Sequence, residues 1–170
     1  MSVLLTFRRL IRHTFSPKWW VARYFTPKIL QQITSQIIES EPQHLGQIRF
    51  VIESHWAWFD IIHQKTPHQR ALEWFGRERI WDTEHNTGIL IYISFADKAV
   101  EIIADRGINQ QITANEWQAI CNTMSPYFTD KNYVAGFSAG LNTMTQLLIQ
   151  KYPRTDSNFH NELSDEIIIH

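Results

Sequence analysis

The stretch Ile80–Ile108, IWDTEHNTGILIYISFADKAVEIIADRGI, constrains the fold more than any other part of the chain. Residues 88–95 and 99–104 are apolar runs rich in β-branched side chains, with Ala96-Asp97-Lys98 as a turn between them. The segment therefore reads as an antiparallel hairpin. Ile89, Leu90, Ile91 and Ile93 in one strand, and Val100, Ile102 and Ile103 in the other, are apolar enough to need cover on both faces of a sheet. The two flanks of an antiparallel hairpin meet at one end. Asp82, Glu84, His85, Asp105 and Arg106 are expected to converge there, either as a metal or ligand site or as a capped sheet edge.

The remaining elements supply that cover. Thr26-Pro27 offers a capping hydroxyl followed by proline at the first helical position, and Ile29, Leu30, Ile33, Ile37 and Ile38 make an apolar stripe. Residues 47–53 alternate, with Ile48, Phe50 and Ile52 on one face and Arg49 and Glu53 off it, which predicts a strand. Thr66-Pro67-His68-Gln69 and Thr113-Ala114-Asn115-Glu116 are capping boxes. The first opens a helix buried through Ala71, Leu72 and Phe75; the second opens one buried through Trp117, Ile120, Cys121, Met124 and Phe128. Tyr133, Phe137, Leu141, Met144 and Leu148 define a last helix that Pro153 closes. A polar acidic tail, residues 154–170, has room for a short strand at 167–169. Helices around a small sheet predict an α/β fold.

Charge is uneven along the 170 residues, although the formal net charge is only −1. Arg8, Arg9, Arg12, Lys18, Arg23 and Lys28 all precede the first acid, Glu39. Residues 2–15 read as an amphipathic helix, Val3, Leu4, Phe7, Leu10, Ile11 and Phe15 opposite the three arginines, and Ser16-Pro17 ends it. The Lys18-Trp19-Trp20 that follows suits the headgroup region of a bilayer. Residues 1–25 thus form a basic arm with two readings: docked on the domain with the Trp pair as anchor, or seated on an anionic membrane or membrane protein. The N-terminus lacks the pattern of a signal peptide, and no run reaches the roughly 18 to 20 apolar residues of a membrane span. A cytoplasmic protein, or one peripheral to the inner membrane, is expected. Basic residues do not interleave with aromatics on a strand face, so no nucleic-acid partner is expected.

Candidate chemistry centres on the hairpin end. Carboxylates and loop carbonyls are hard oxygen donors, suited to Ca²⁺ or Mg²⁺. Asp82 and Glu84 from the preceding loop, with Asp105 from across the hairpin, are the candidate ligands. Elsewhere the signals are structural. The eight histidines include no zinc-binding spacing, Cys121 falls on a core-facing helix side, and Gly136-Phe-Ser138-Ala-Gly140 lacks the strand that a nucleophile elbow requires.

Four segments in order resemble the TPM domain family, named for thylakoid, photosystem and worm-receptor accessory members. They are Gly46–Glu53, Arg77–Ile108, Trp117–Met124 and Leu147–Pro153, within residues 26–153. The ends are similar to the short proteobacterial members, with an Arg-rich and WW-containing start and Asn161-Glu162-Leu163 near the C-terminus. The resemblance implies a three-layer α/β/α sandwich on a mixed sheet of about four strands, here with an extra N-terminal amphipathic helix. The residue reading places only three of those strands firmly. The family has been linked to acid phosphatase activity, calcium binding and accessory roles for membrane complexes. Carried over residue by residue, the implied site is Asp82, Glu84, Asp105, Arg106 and Gly107. One departure is Lys131, where many members have glycine between the last two helices; it is expected either to take a strained backbone conformation or to change the turn. The expected function is a non-catalytic accessory module that binds a divalent ion; the alternative is a weak metal-assisted phosphomonoesterase, with Arg106 pairing with phosphate oxygens and Asp105 and Arg106 as the candidate catalytic residues.

Overall fold

Strands β1 (Gln47–Glu53), β2 (Gly88–Ser94), β3 (Ala99–Ala104) and β4 (Ile168–Ile169) form one sheet in the order β3-β2-β1-β4. The structure is a computed structural model that describes residues 3–155 and 161–170. Asp156 and His160 of the acidic tail lie outside the described residues. β2 and β3 are the antiparallel hairpin, with Ile91 opposite Ile102. β1 runs parallel to β2, with Ile48 opposite Ile89. The fourth strand, which the family resemblance required, comes from the tail: Ile168 pairs in parallel with Val51.

Strand alternation divides the core in two. Ile48, Phe50, Ile52, Ile89, Ile91 and Ile93 point to one face, under helices α3 (Pro27–Ser40), α6 (Ala114–Thr129) and α7 (Tyr133–Lys151). Val51, Leu90, Tyr92 and Ile103 point to the other, under α4 (Trp58–Ile62) and α5 (Pro67–Arg77). All seven residues of β2 are buried, as a strand covered on both faces requires. This is the α/β/α sandwich. Both capping boxes form, at Thr66 with Gln69 and at Thr113 with Glu116. In α5 the buried residues are Ala71 and Trp74; Leu72 is exposed and Phe75 only half-buried, because the helix turns its indole toward the sheet.

Two helices precede this sandwich, α1 (Val3–Thr14) and α2 (Lys18–Tyr24). Val21 and Phe25 belong to the core cluster under α3 and α7, so the domain proper begins inside the sequence-defined arm. Lys98 and Lys131, in the β2–β3 and α6–α7 turns, both adopt left-handed backbone conformations, φ 54° and 60°. The strain expected at Lys131 is therefore present.

Candidate functional site

The far end of the hairpin is built by hydrogen bonds between the 78–87 loop and the turn after β3. Gly88 starts β2 so close to the loop that a Cβ there would lie 1.8 Å from the Ile80 carbonyl oxygen. Thr83 folds the loop back, its Oγ1 accepting from the Thr87 amide at 2.9 Å. Asp105 joins the two sides: its amide donates to the Gly88 carbonyl at 2.9 Å, and its Oδ1 accepts from the Arg106 amide at 2.7 Å. Arg106 Nε donates to Asn86 Oδ1 at 3.0 Å. Gly107 lies against the carbonyls of His85 and Asn86, each 2.5 Å from where a Cβ would stand. The hairpin geometry thus brings Asn86 and Gly107 to Asp105 and Arg106.

The carboxylates are less gathered. Asp82, Glu84 and His85 are exposed, and among the described residues no three His, Cys, Asp or Glu side chains are grouped to hold an ion. Asp105 Oδ2 is buried and has no hydrogen-bond partner among the described residues. The Glu84 amide is capped by Glu162 of the tail, at 3.0 Å to Oε2. Glu162 is itself placed by Gln47, whose Oε1 accepts from the Glu162 and Leu163 amides. Sequence spacing gave no sign of this contact, which spans 78 residues.

At the opposite end of the hairpin, α1 docks through its polar side. Arg9 Nη2 lies 2.7 Å from Asp97 Oδ2, with Nε 3.0 Å from Oδ1, and Arg9 Nη1 donates to the Lys65 carbonyl at 2.7 Å. The guanidinium also stacks 4.5 Å from the centre of a Trp56 ring. The Trp56 amide donates to His13 Nδ1 at 2.9 Å, which assigns the imidazole proton to Nε2, 3.2 Å from Asp97 Oδ1. Burial alone would raise the Asp97 pKa, but the contacts with His13 and Arg9 outweigh it and hold the carboxyl well below the usual carboxylate range. Arg9 and His13 are buried, whereas Leu4 and Phe7 are each 59% exposed, Phe15 68% and Trp19 63%. The arm is docked, as one reading expected, but the Trp pair is not its anchor. α4, packed beside α1, adds exposed Trp58, Phe59 and Ile62.

Trp56 also links this contact to the second core. Its Nε1 donates to the Tyr92 hydroxyl at 2.9 Å, and Tyr92 donates to Glu53 Oε2 at 2.6 Å. Fully buried Glu53 also accepts from Arg70 Nε and from Trp74 Nε1, at 2.9 and 3.1 Å. The one sequence signal was an acid closing a strand whose last three preceding residues, Phe50, Val51 and Ile52, are apolar. The remaining candidates are structural here. Burial pushes the Cys121 thiol up to about 12, and Ser138 sits inside α7, donating to Gln36 Oε1 at 2.8 Å.

A family model described as the TPM domain matches residues 21–147. The chain belongs to the TPM domain family. Two solved structures share its fold. The BA42 protein of the psychrophilic bacterium Bizionia argentinensis aligns over 85% of this chain and 94% of its own, at 23% identity and a TM-score of 0.75. The N-terminal domain of the cg2496 protein of Corynebacterium glutamicum aligns over 82% and 83%, at 10% identity and a TM-score of 0.56. No curated protein matches the sequence. The TPM match begins at Val21, so α1 stands outside it. No helix of the described residues is long and apolar enough to cross a membrane.

Proposed function

We propose that this TPM domain is a non-catalytic accessory module that works at an anionic membrane surface, on the cytoplasmic side of the inner membrane, seated by residues 3–25. The inverted docking of α1 supports this reading. An amphipathic helix that only covered a core would bury Phe7 and Ile11; here Arg9 and His13 are buried and the apolar side faces out. Arg8, Arg12, Lys18, Arg23 and Lys28 are exposed as well, and no acid precedes Glu39. Half-burying one apolar side chain contributes on the order of 1 kcal/mol. Each Lys or Arg near an anionic leaflet adds about as much. Trp19 and Trp20 supply the amphipathic rings that favour the interface.

Co-sedimentation with phosphatidylglycerol-containing vesicles tests the reading. A variant carrying Leu4→Gln, Phe7→Gln, Phe15→Gln and Trp19→Gln changes only exposed positions and should remain folded but unbound. Unchanged sedimentation, or equal sedimentation with neutral vesicles, would refute it. Binding only to vesicles that carry membrane proteins would assign the arm to a protein partner instead.

A second reading rests on Asp105 Oδ2, buried without a hydrogen-bond partner among the described residues, beside a loop rich in carbonyl oxygens. These are hard donors that fit Ca²⁺ or Mg²⁺ in kind. They are fewer than the roughly six to eight oxygens calcium takes, so water would complete the shell and binding would be weak. Asp82 and Glu84 would contribute field rather than a cage. Titration with either ion should shift the amides of residues 82–88 and 104–108; no shift at millimolar ion would end this reading. The alternative, phosphomonoester hydrolysis through Asp105 and Arg106, requires turnover of a chromogenic ester that is lost in Asp105→Ala.

A further inference from the structure

A cavity of about 350 Å³ lies where α1 and α2 meet the β2–β3 and α6–α7 turns. Its walls are aromatic. Tyr24, Phe95 and Tyr133 form a triangle with ring centres 5.3 to 5.9 Å apart, and Phe15 and Trp20 close the side toward the arm. Its charged lining is cationic, Arg12, Lys98 and Lys131, with no carboxylate among the described lining residues. Asp97, the acid nearest in sequence to Lys98, is taken up by Arg9 and His13. Lys131 Nζ stands 5.9 Å from the centre of the Tyr24 ring. Arg12 is only loosely held by Asp97, at 3.6 Å, and is half exposed.

Both lysines occupy left-handed backbone positions, where glycine is the comfortable residue. Two separate turns thus each hold a lysine in a disfavoured conformation in the lining of one cavity. Such positions gather where a site needs a group placed. An open cleft lined by aromatic rings and three cations matches an amphipathic anion. A nucleotide would need acceptors as well as donors to read its base, and among the described lining side chains the only acceptors are the Ser16 and tyrosine hydroxyls.

We propose that this cavity takes one acyl chain of an acidic membrane lipid, with the anionic headgroup held by Arg12, Lys98 and Lys131. The proposal rests on the membrane reading above for the source of the lipid, since Ile11 and Phe15 belong both to the cavity and to the outward side of the arm.

The test uses the full chain and lipids kept monomeric. Dihexanoyl phosphatidylglycerol should bind saturably, shifting the amides of residues 95–98 and 131–133 and changing indole emission. Dihexanoyl phosphatidylcholine and glycerophosphate should each bind at least about tenfold more weakly, because one lacks the net charge and the other the chain. Lys98→Gly with Lys131→Gly removes two charges at positions whose backbone favours glycine, so melting should not fall while affinity drops about tenfold. Lys98→Asn with Lys131→Asn, also tolerant of this backbone, repeats the test independently. Equal binding of the two lipids, shifts confined to other residues, or undiminished affinity in both double variants would overturn the proposal. Loss of monomer binding with vesicle binding intact overturns the cavity alone. Monomer binding without vesicle binding overturns the membrane reading and leaves the cavity occupied.

Discussion

Asp97→Asn should free the N-terminal helix without unfolding the sandwich. Asp97 and Arg9 side chains are 8% and 10% exposed, so the substitution leaves a nearly buried guanidinium without its counter-ion. Breaking such a pair costs about 3 to 5 kcal/mol when the orphaned charge has nowhere to go. Arg9 keeps the Lys65 carbonyl and the Trp56 face, and Asn retains one acceptor oxygen, which lowers the loss to about 2 kcal/mol. Within α1 His13 is also buried, Thr6 and Leu10 are half-buried, and the helix packs chiefly beside α4, so the loss should appear as local opening. At about 1.4 kcal/mol per tenfold, the open population rises roughly thirtyfold. Hydrogen exchange read by mass spectrometry should show peptides spanning residues 4–14 losing that much protection, with peptides from β2 and β3 unchanged. Acid should mimic the substitution. A depressed carboxyl contributes fully above its ordinary value of 3.8, and the contribution is lost as pH falls through the lower folded value. Unchanged arm exchange, or strands that lose protection together with the arm, would refute this account of the docking.

Glu41→Gln should stabilise the protein at pH 8 to 9 and change little near pH 5. Burial above all, with Asp165 adding to it, pushes the Glu41 carboxyl up to about 8, while its Oε1 accepts from the Ile48 amide at 2.7 Å. The unfolded chain releases that proton from about 4.5 upward and the folded chain keeps it, so stability falls between those values and levels off above. Urea midpoints measured across that range read the difference, on the order of a few kcal/mol. Tyr92→Phe should lose about 2 kcal/mol in the same assay, because Trp56 Nε1 and Glu53 Oε2 each lose a partner in a dry environment. Gly88→Ala should prevent the loop from closing on β2, since its methyl would meet the Ile80 carbonyl; native-like amide dispersion in that variant would contradict the geometry.

The sheet and its cover were legible because local patterns agreed with the global packing. β2 and β3 announced themselves by apolar content, both capping boxes formed, and Ile120, Met124, Phe137, Met144 and Leu148 all point inward. The orientation of α1 was not legible. A helical wheel ranks faces by hydrophobicity, and here a single carboxylate 88 residues away, in a turn, outcompetes that ranking by drawing Arg9 and His13 inward. The short helix α4 carries too few residues for periodicity, and its Trp58, Phe59 and Ile62 face outward rather than into a core. At the hairpin end the convergence of Asp105 with the 82–87 loop followed from antiparallel geometry alone. The partners that occupy that loop did not, because Glu162 arrives from a tail whose position depends on Gln47.

The hairpin also works as a spacer. Asp97, at its turn, is pinned to the arm, while Asp105 and Gly88 stand at the other end. Seven strand residues at about 3.3 Å each separate these ends by roughly 20 Å. If the arm lies among headgroups, the sheet can hold the Asp105 end up to that far from the leaflet.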